Sequence, residues 1–190
     1  MGSTTVNIVE LQRRIAVYED EAAYRELFIY MFDSLSRFSF GIVRSRETAE
    51  EIVSDVFIAL WDERLRLQDI EDLKTYLFVS VRNNSVRRRQ QDMRNPGISL
   101  DELDVQMESL SPNPEDRLVS AETLRFIEEA ISGLPHRARL ILKLAKEDRL
   151  RYKQISSLLN ISVKTIDHQL AITLKKLSAK LRQSVRSREK

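Results

Sequence analysis

The sequence predicts an all-α protein built of two small helical domains joined by a flexible linker. Three observations carry this. Only four glycines and four prolines occur in 190 residues, so helix breakers are scarce. Apolar residues recur at spacings of three and four rather than in alternation. The breakers that do occur gather in Asn95-Pro96-Gly97 and Pro112-Asn113-Pro114, where periodic apolar content fades.

The elements follow in chain order. An amphipathic helix is expected over residues 22–40, then a break at 41–46. A second helix spans 48–63, with Ala49, Ile52, Val53, Val56, Phe57, Leu60 and Trp61 on one face. A third runs from 72 to about 90 on Leu73, Tyr76, Leu77 and Val81. Packed together, these three form a first domain over 6–90. Residues 91–116 read as the linker. The second domain, 117–182, opens with a helix over 118–131, passes the Gly133-Leu134-Pro135 breaker and continues through a helix over 136–147. Its end is a helix-turn-helix. Ile155, Leu158 and Leu159 give the first of these helices an apolar face, Asn160 ends it as a left-handed cap, and Ser162 caps the next. In that last helix Ile166, Leu170, Leu174, Leu177 and Leu181 form the inward stripe, leaving Lys164, Thr165, His168, Gln169 and Ile172 outside, where a major groove would meet them. Residues 183–190 are a basic tail.

Composition excludes several classes. An apolar content of 42% beside 32% charge suits a folded protein rather than a membrane-embedded one. No run approaches the roughly 20 apolar residues of a spanning helix, and residues 1–10 lack both a basic start and an apolar stretch, so a cytoplasmic location without membrane insertion is expected. The absence of cysteine removes disulfides and thiolate metal sites, and His136 and His168 stand far apart, so neither a structural zinc nor any other cofactor is expected.

The net charge of +2 hides a segregation of signs. Arg82, Arg87, Arg88, Arg89 and Arg94 face only Asp92. From Lys164 to Lys190 eight basic residues face Asp167 and Glu189. Between these patches Asp101, Glu102, Asp104, Glu108, Glu115 and Asp116 face Arg117 alone. Two basic regions separated by an acidic stretch fit two nucleic-acid contacts and a connector that avoids phosphates. Within the connector, Leu100, Leu103, Val105 and Met107 alternate with acids, which suits either a short helix or an unstructured segment. Just before and within the second helix, Glu47, Glu51 and Asp55 stand four apart. Such a stripe could bind metal, but the Glu-x-x-His partners of a helical di-metal site are missing.

Taken in order, these segments resemble the extracytoplasmic-function sigma factors of the sigma-70 family, small initiation subunits of bacterial RNA polymerase. Ala49-Glu50-Glu51-Ile52-Val53-Ser54-Asp55-Val56-Phe57-Ile58-Ala59-Leu60-Trp61 is similar to region 2.2, and Leu73-Lys74-Thr75-Tyr76-Leu77-Phe78-Val79-Ser80-Val81-Arg82-Asn83-Asn84 to regions 2.3 and 2.4. Gly133-Leu134-Pro135, Tyr152-Lys153-Gln154-Ile155 and Ile161-Ser162-Val163-Lys164-Thr165-Ile166 resemble region 4. The stretch from Ser162 to Asp167 is also similar to the version in the Bacteroidetes branch.

The resemblance implies a protein that is not an enzyme and whose partners are core polymerase, through its β′ clamp and β flap, promoter DNA, and a membrane-linked anti-sigma factor. It implies −10 contacts by Arg82, Asn83, Arg87, Arg88 and Gln90, with Arg88 and Arg89 turned toward phosphates and a base-accepting loop at about 67–74. It implies −35 contacts by Lys164, Thr165, Asp167, His168, Gln169 and Ile172, with Tyr152 and Lys153 on phosphates. The clamp would meet Glu51, Ser54, Asp55 and Trp61, though Trp61 also suits a core anchor. Ser54, at the clamp contact, stands where relatives often carry glutamine. Asp167 stands where many carry arginine or lysine, so a different promoter preference is expected. A helix-turn-helix regulator acting without polymerase is the rival reading. The basic, asparagine-bearing third helix and the acidic connector argue against it.

Overall fold

A computed structural model gives the fold and describes residues 6–93, 127 and 129–188. The chain divides into two compact units, Met1–Ile98 and Ser99–Lys190. Every regular element among the described residues is helical.

The first unit contains α1 (Ile8–Tyr18), α2 (Glu21–Val43), α3 (Arg46–Asp62), a 3-10 turn (Arg64–Asp69) and α4 (Leu73–Met93). Of these, α1 is not among the three helices expected from sequence. Asn7 caps it by accepting from the Glu10 N–H at 3.2 Å, and it buries only Leu11, Ile15 and Ala16. Eleven residues are too few to hold a helix alone, so α1 depends on packing against α2 and the 3-10 turn.

Glu19 in the left-handed region ends α1, and Asp20 starts α2 at once, accepting from the Ala23 N–H at 3.0 Å. The Arg14 guanidinium lies 2.7 Å from the Asp20 carboxylate and locks this corner. Those two bonds, the Ala23 amide first and Arg14 second, hold the Asp20 carboxyl below its ordinary value. The break expected over 41–46 is shorter, since α2 continues through Gly41 to Val43. Burial of Phe38 and Ile42 outweighs the roughly 1 kcal/mol a helical glycine loses. The actual break is left-handed Arg44 followed by Ser45, whose Oγ accepts from the Thr48 N–H at 3.2 Å.

The first core forms where α2 packs on α3 and α4. Phe28 meets Phe57 edge-on at 4.9 Å, and Phe38 meets Phe78 at 5.3 Å. Where α2 crosses α4, the hydroxyls of Ser39 and Ser85 pair at 2.8 Å, which satisfies two buried polar groups. On α4 the buried stripe is Leu73, Leu77, Phe78, Val81 and Ser85. Tyr76, expected inside, is exposed. At 100° per residue it lies about 140° from the middle of that stripe.

The second unit contains α5 (His136–Lys146), α6 (Tyr152–Leu159) and α7 (Val163–Arg188). The turn expected from sequence is present: Asn160 is left-handed with φ 51°, and Ser162 Oγ accepts from the Thr165 N–H at 3.0 Å. Ser156 adds a hydroxyl bond to the Ile161 carbonyl at 2.6 Å. Ile141, Leu144, Ile155, Leu158, Ile166 and Leu170 fill the core between the three helices. Lys143 is 1% exposed and pairs with Glu147 at 2.7 Å.

One register differs. Leu174 is 42% exposed while Thr173 is 2% exposed. Counting from Ile166 at 100° per residue, Thr173 falls about 20° off and Leu174 about 80° off, so the straight helix turns the threonine inward. Residues 183–188, expected as part of a tail, continue α7. Residues 94–126 lie outside the described residues, and with them most of the expected linker, its short helix and most of the helix over 118–131; residues 127 and 129–132 are helical.

Candidate nucleic-acid interface

On α4, Asn83, Arg87 and Gln90 are exposed at spacings of four and three and share one face. Arg87 donates to Asn84 Oδ1 at 2.9 Å, and the half-buried Arg82 reaches Asn83 Oδ1 at 3.4 Å. This row offers guanidinium and amide groups, which suit phosphates, base faces and base edges. The two arginines expected to turn toward phosphates are both engaged within the protein. Arg88 lies 3.3 Å from Glu51 on α3, and Arg89 donates at 3.0 Å to the Ile42 carbonyl in the last turn of α2. An arginine on a helix-terminal carbonyl satisfies an orphan acceptor, and that geometry is invisible to helical periodicity.

On α3, Glu47, Glu51, Asp55, Ile58 and Asp62 form one exposed stripe. Asp62 extends the acidic row seen in the sequence, with the exposed apolar Ile58 between it and Asp55, and their spacing was enough to find them. Ser54 is half-buried, with its hydroxyl donating to the Glu50 carbonyl at 2.8 Å. Trp61 is half-buried too, its ring 4.9 Å from Tyr24 with the Arg64 guanidinium 5.0 Å from its centre. Arg64 also pairs with Glu19 at 2.7 Å. Beside Trp61 lies a cavity of about 400 Å³ lined by Glu21, Tyr24, Arg25, Ile58 and Asp62. Burial first, and the Asp62 charge second, raise the Tyr24 hydroxyl above its ordinary value. Tyr24 donates to the Phe57 carbonyl at 2.9 Å. No cluster of three or more His, Cys, Asp or Glu able to hold a metal occurs among the described residues.

On α7, Lys164, Asp167, His168 and Ile172 are exposed, whereas Thr165 and Gln169 sit half-buried at the edge of the same surface. The Thr165 hydroxyl pairs with Ser162 at 2.8 Å within the cap. The Gln169 side-chain amide carries one acceptor and two N–H donors, a set that suits a base edge. Tyr152 and Lys153, exposed in the first turn of α6, stand at a helix start where free N–H groups favour anions. Gln154 closes that start by accepting from the Arg151 N–H. Lys175 and Lys176 extend the basic surface along α7. Among the described residues no helix is long and apolar enough to cross a membrane.

Comparison with known proteins gives matches in each unit. Sigma-70 region 2 matches residues 30–95, and sigma-70 region 4 matches residues 125–177. The ferric citrate uptake sigma factor FecI of Escherichia coli (strain K12) is 24% identical over 129 residues, which is 68% of this chain and 73% of FecI. The solved structure of CnrH in complex with the cytosolic domain of CnrY is similar in fold, with a TM-score of 0.52 and 16% identity over 93% of this chain and 99% of CnrH. The sigma factor RpoE of Bartonella quintana, solved with the anti-sigma factor NepR, matches at TM-score 0.49 and 19% identity over 84% of this chain and 96% of that one.

Proposed function

The chain belongs to the sigma-70 family, matched in both region 2 and region 4 and in their chain order, and from that premise we propose that it acts as an initiation factor of the extracytoplasmic-function type. It directs core RNA polymerase to specific promoters and nucleates their opening, without covalent chemistry of its own. The observation that carries this is the presence, in each matched segment, of an exposed polar or basic helix face suited to DNA: Asn83, Arg87 and Gln90 on α4, and Lys164, His168 and Ile172 on α7.

In this reading α7 enters the major groove of the −35 element. Gln169 accepts and donates to an adenine edge, Asp167 accepts from cytosine, and Ile172 meets a thymine methyl. Lys164, Thr165 and His168 complete the surface, with Tyr152 and Lys153 on phosphates. The α4 face meets the −10 element. Separating each base-pair step forfeits about 1.4 kcal/mol of stacking, so opening without ATP requires contacts that exist only on unpaired strand. Asn83 and Arg87 supply them, with Arg82, Arg88 and Gln90 beside them, and the loop at 67–74 receives an unpaired base. The acidic stripe of α3, through Glu51, Ser54 and Asp55 with Trp61 behind it, docks the β′ clamp, while the second domain meets the β flap. CnrH was solved with the cytosolic domain of CnrY. By analogy a membrane-linked anti-sigma factor holds this chain inactive in the cytoplasm.

The test is pull-down and run-off transcription with purified core polymerase on genomic promoters of the source bacterium. A stable complex and transcripts that depend on the protein are expected. Duplex DNA binding without core binding would point instead to a self-sufficient helix-turn-helix regulator.

A further inference from the structure

The segment between α3 and α4 is short, charged and poor in apolar residues, yet it holds one defined shape. Leu67 is buried beneath the 3-10 turn, and Asp72 caps α4 by accepting from the Thr75 N–H at 3.1 Å and from its hydroxyl at 2.8 Å. Between these two anchors the backbone is held from outside. Gln12 on α1 donates through its side-chain amide to the Leu67 carbonyl at 2.6 Å and to the Ile70 carbonyl at 2.7 Å. An amide NH2 has two hydrogens, and two carbonyls 55 and 58 residues downstream accept from it. The Ile70 N–H also bonds the Leu67 carbonyl at 3.2 Å, so one side chain braces both ends of the same tight turn.

This brace bears on DNA through its place in the fold. Leu73 to Asn83 is ten residues of α4, about 15 Å of helix. A strand lying along the Asn83, Arg87 and Gln90 face therefore reaches the braced turn within a few nucleotides. Gln68, Asp69 and Glu71 are exposed there. Carboxylates repel phosphate, so what such a turn can receive from a strand is a base.

We propose that Gln12 is a positioning residue for −10 recognition: by holding the carbonyls of Leu67 and Ile70 it fixes the turn that receives an unpaired base. This rests on the reading of the 67–74 loop as base-accepting. The N-terminal helix thereby acts on promoter choice without touching DNA. Loss of the brace leaves two part-buried carbonyls without that donor and lets the turn sample other shapes, which blurs the fit to one base.

The test uses the full chain with core polymerase and a promoter substituted base by base across both elements, comparing wild type with Gln12→Leu and Gln12→Glu. Leucine keeps bulk without donors, and glutamate turns a carboxylate on the two carbonyls. Both variants are expected to lose about tenfold in discrimination at one or two adjacent −10 positions, a change worth ~1.4 kcal/mol, while −35 discrimination stays within about twofold. A melting curve of each variant separates this from simple unfolding. Discrimination unchanged at every −10 position, or activity lost equally at all positions of both elements, would overturn the proposal. A wild type that opens no promoter would overturn the initiation-factor reading and this inference with it, whereas an active wild type matched by both variants would sink the inference alone.

Discussion

Arg88 on α4 and Glu51 on α3 meet at 3.3 Å, joining a residue of the basic helix proposed to meet DNA to one of the acidic stripe. Both side chains are about half exposed, so the pair contributes less than about 1 kcal/mol to stability. Arg88→Gln should shift thermal unfolding only slightly, and less still at high salt. It should nevertheless weaken open-complex formation, because a cation leaves the DNA side. A stability loss above about 2 kcal/mol would assign Arg88 to the scaffold instead.

The two DNA elements should respond to different substitutions. Asn83→Ala removes an amide from the α4 face and should reduce opening and −10 discrimination while leaving −35 discrimination intact. Gln169→Ala should do the reverse, losing about 1 to 3 kcal/mol of base discrimination at one −35 position. Band-shift and permanganate footprinting on the same promoter would compare them. Equal losses on both elements would contradict this division.

The phase of α7 can be tested by a neighbouring pair. Thr173→Lys places a charge at a buried position and should destabilise the second unit by several kcal/mol, whereas Leu174→Ala, at an exposed one, should change stability by less than about 1 kcal/mol. Urea denaturation would read both. The opposite ranking would restore the inward stripe expected from sequence, with Leu174 in it.

Lys143 is buried against Glu147, whose side chain keeps 22% of its exposure. Lys143→Ala strands the carboxylate and opens a void, so a loss of about 2 to 4 kcal/mol is expected, below the limit for a fully buried pair. Lys143→Met with Glu147→Gln should recover most of it. A double variant no better than Lys143→Met alone would show that packing, rather than charge, sets the loss.

Asp20 gives a pH signature. Its carboxyl is held below the ordinary aspartate value by the Ala23 amide and Arg14, so its stabilisation is full above the unfolded-state value, near 3.8, and is lost as pH falls through the lower folded-state value. Asp20→Asn should therefore melt earlier than wild type at neutral pH, with the gap narrowing as pH drops below about 4. A gap constant down to pH 2 would rule this out.

Much of this architecture was legible in the sequence because punctuation and periodicity are local. Asn160 and Ser162 mark a turn whose chemistry lies within a few residues, and the buried face of α3 from Ala49 to Leu60 follows from spacing alone. What was missed depends on distant partners. α1 is short and buries only three residues, and the turn it packs against lies far along the chain, as do both acceptors of Gln12. Leu174 and Tyr76 misled because residue type ranks them as core, while the exact helical angle decides which side chain turns inward. Arg88 and Arg89 read as free cations because sequence does not reveal that Glu51 and the end of α2 lie beneath them.

The Gln12 brace also orders events during synthesis. α1 leaves the ribosome well before its acceptors at Leu67 and Ile70, which follow 55 and 58 residues later. At roughly 5 to 20 residues per second, that interval is about 3 to 12 s, during which α1 lacks the turn it packs against. The loop before α4 thus takes its braced shape only after α1 has waited through the synthesis of α2 and α3, as a joint between the earliest part of the nascent bundle and the helix that follows it.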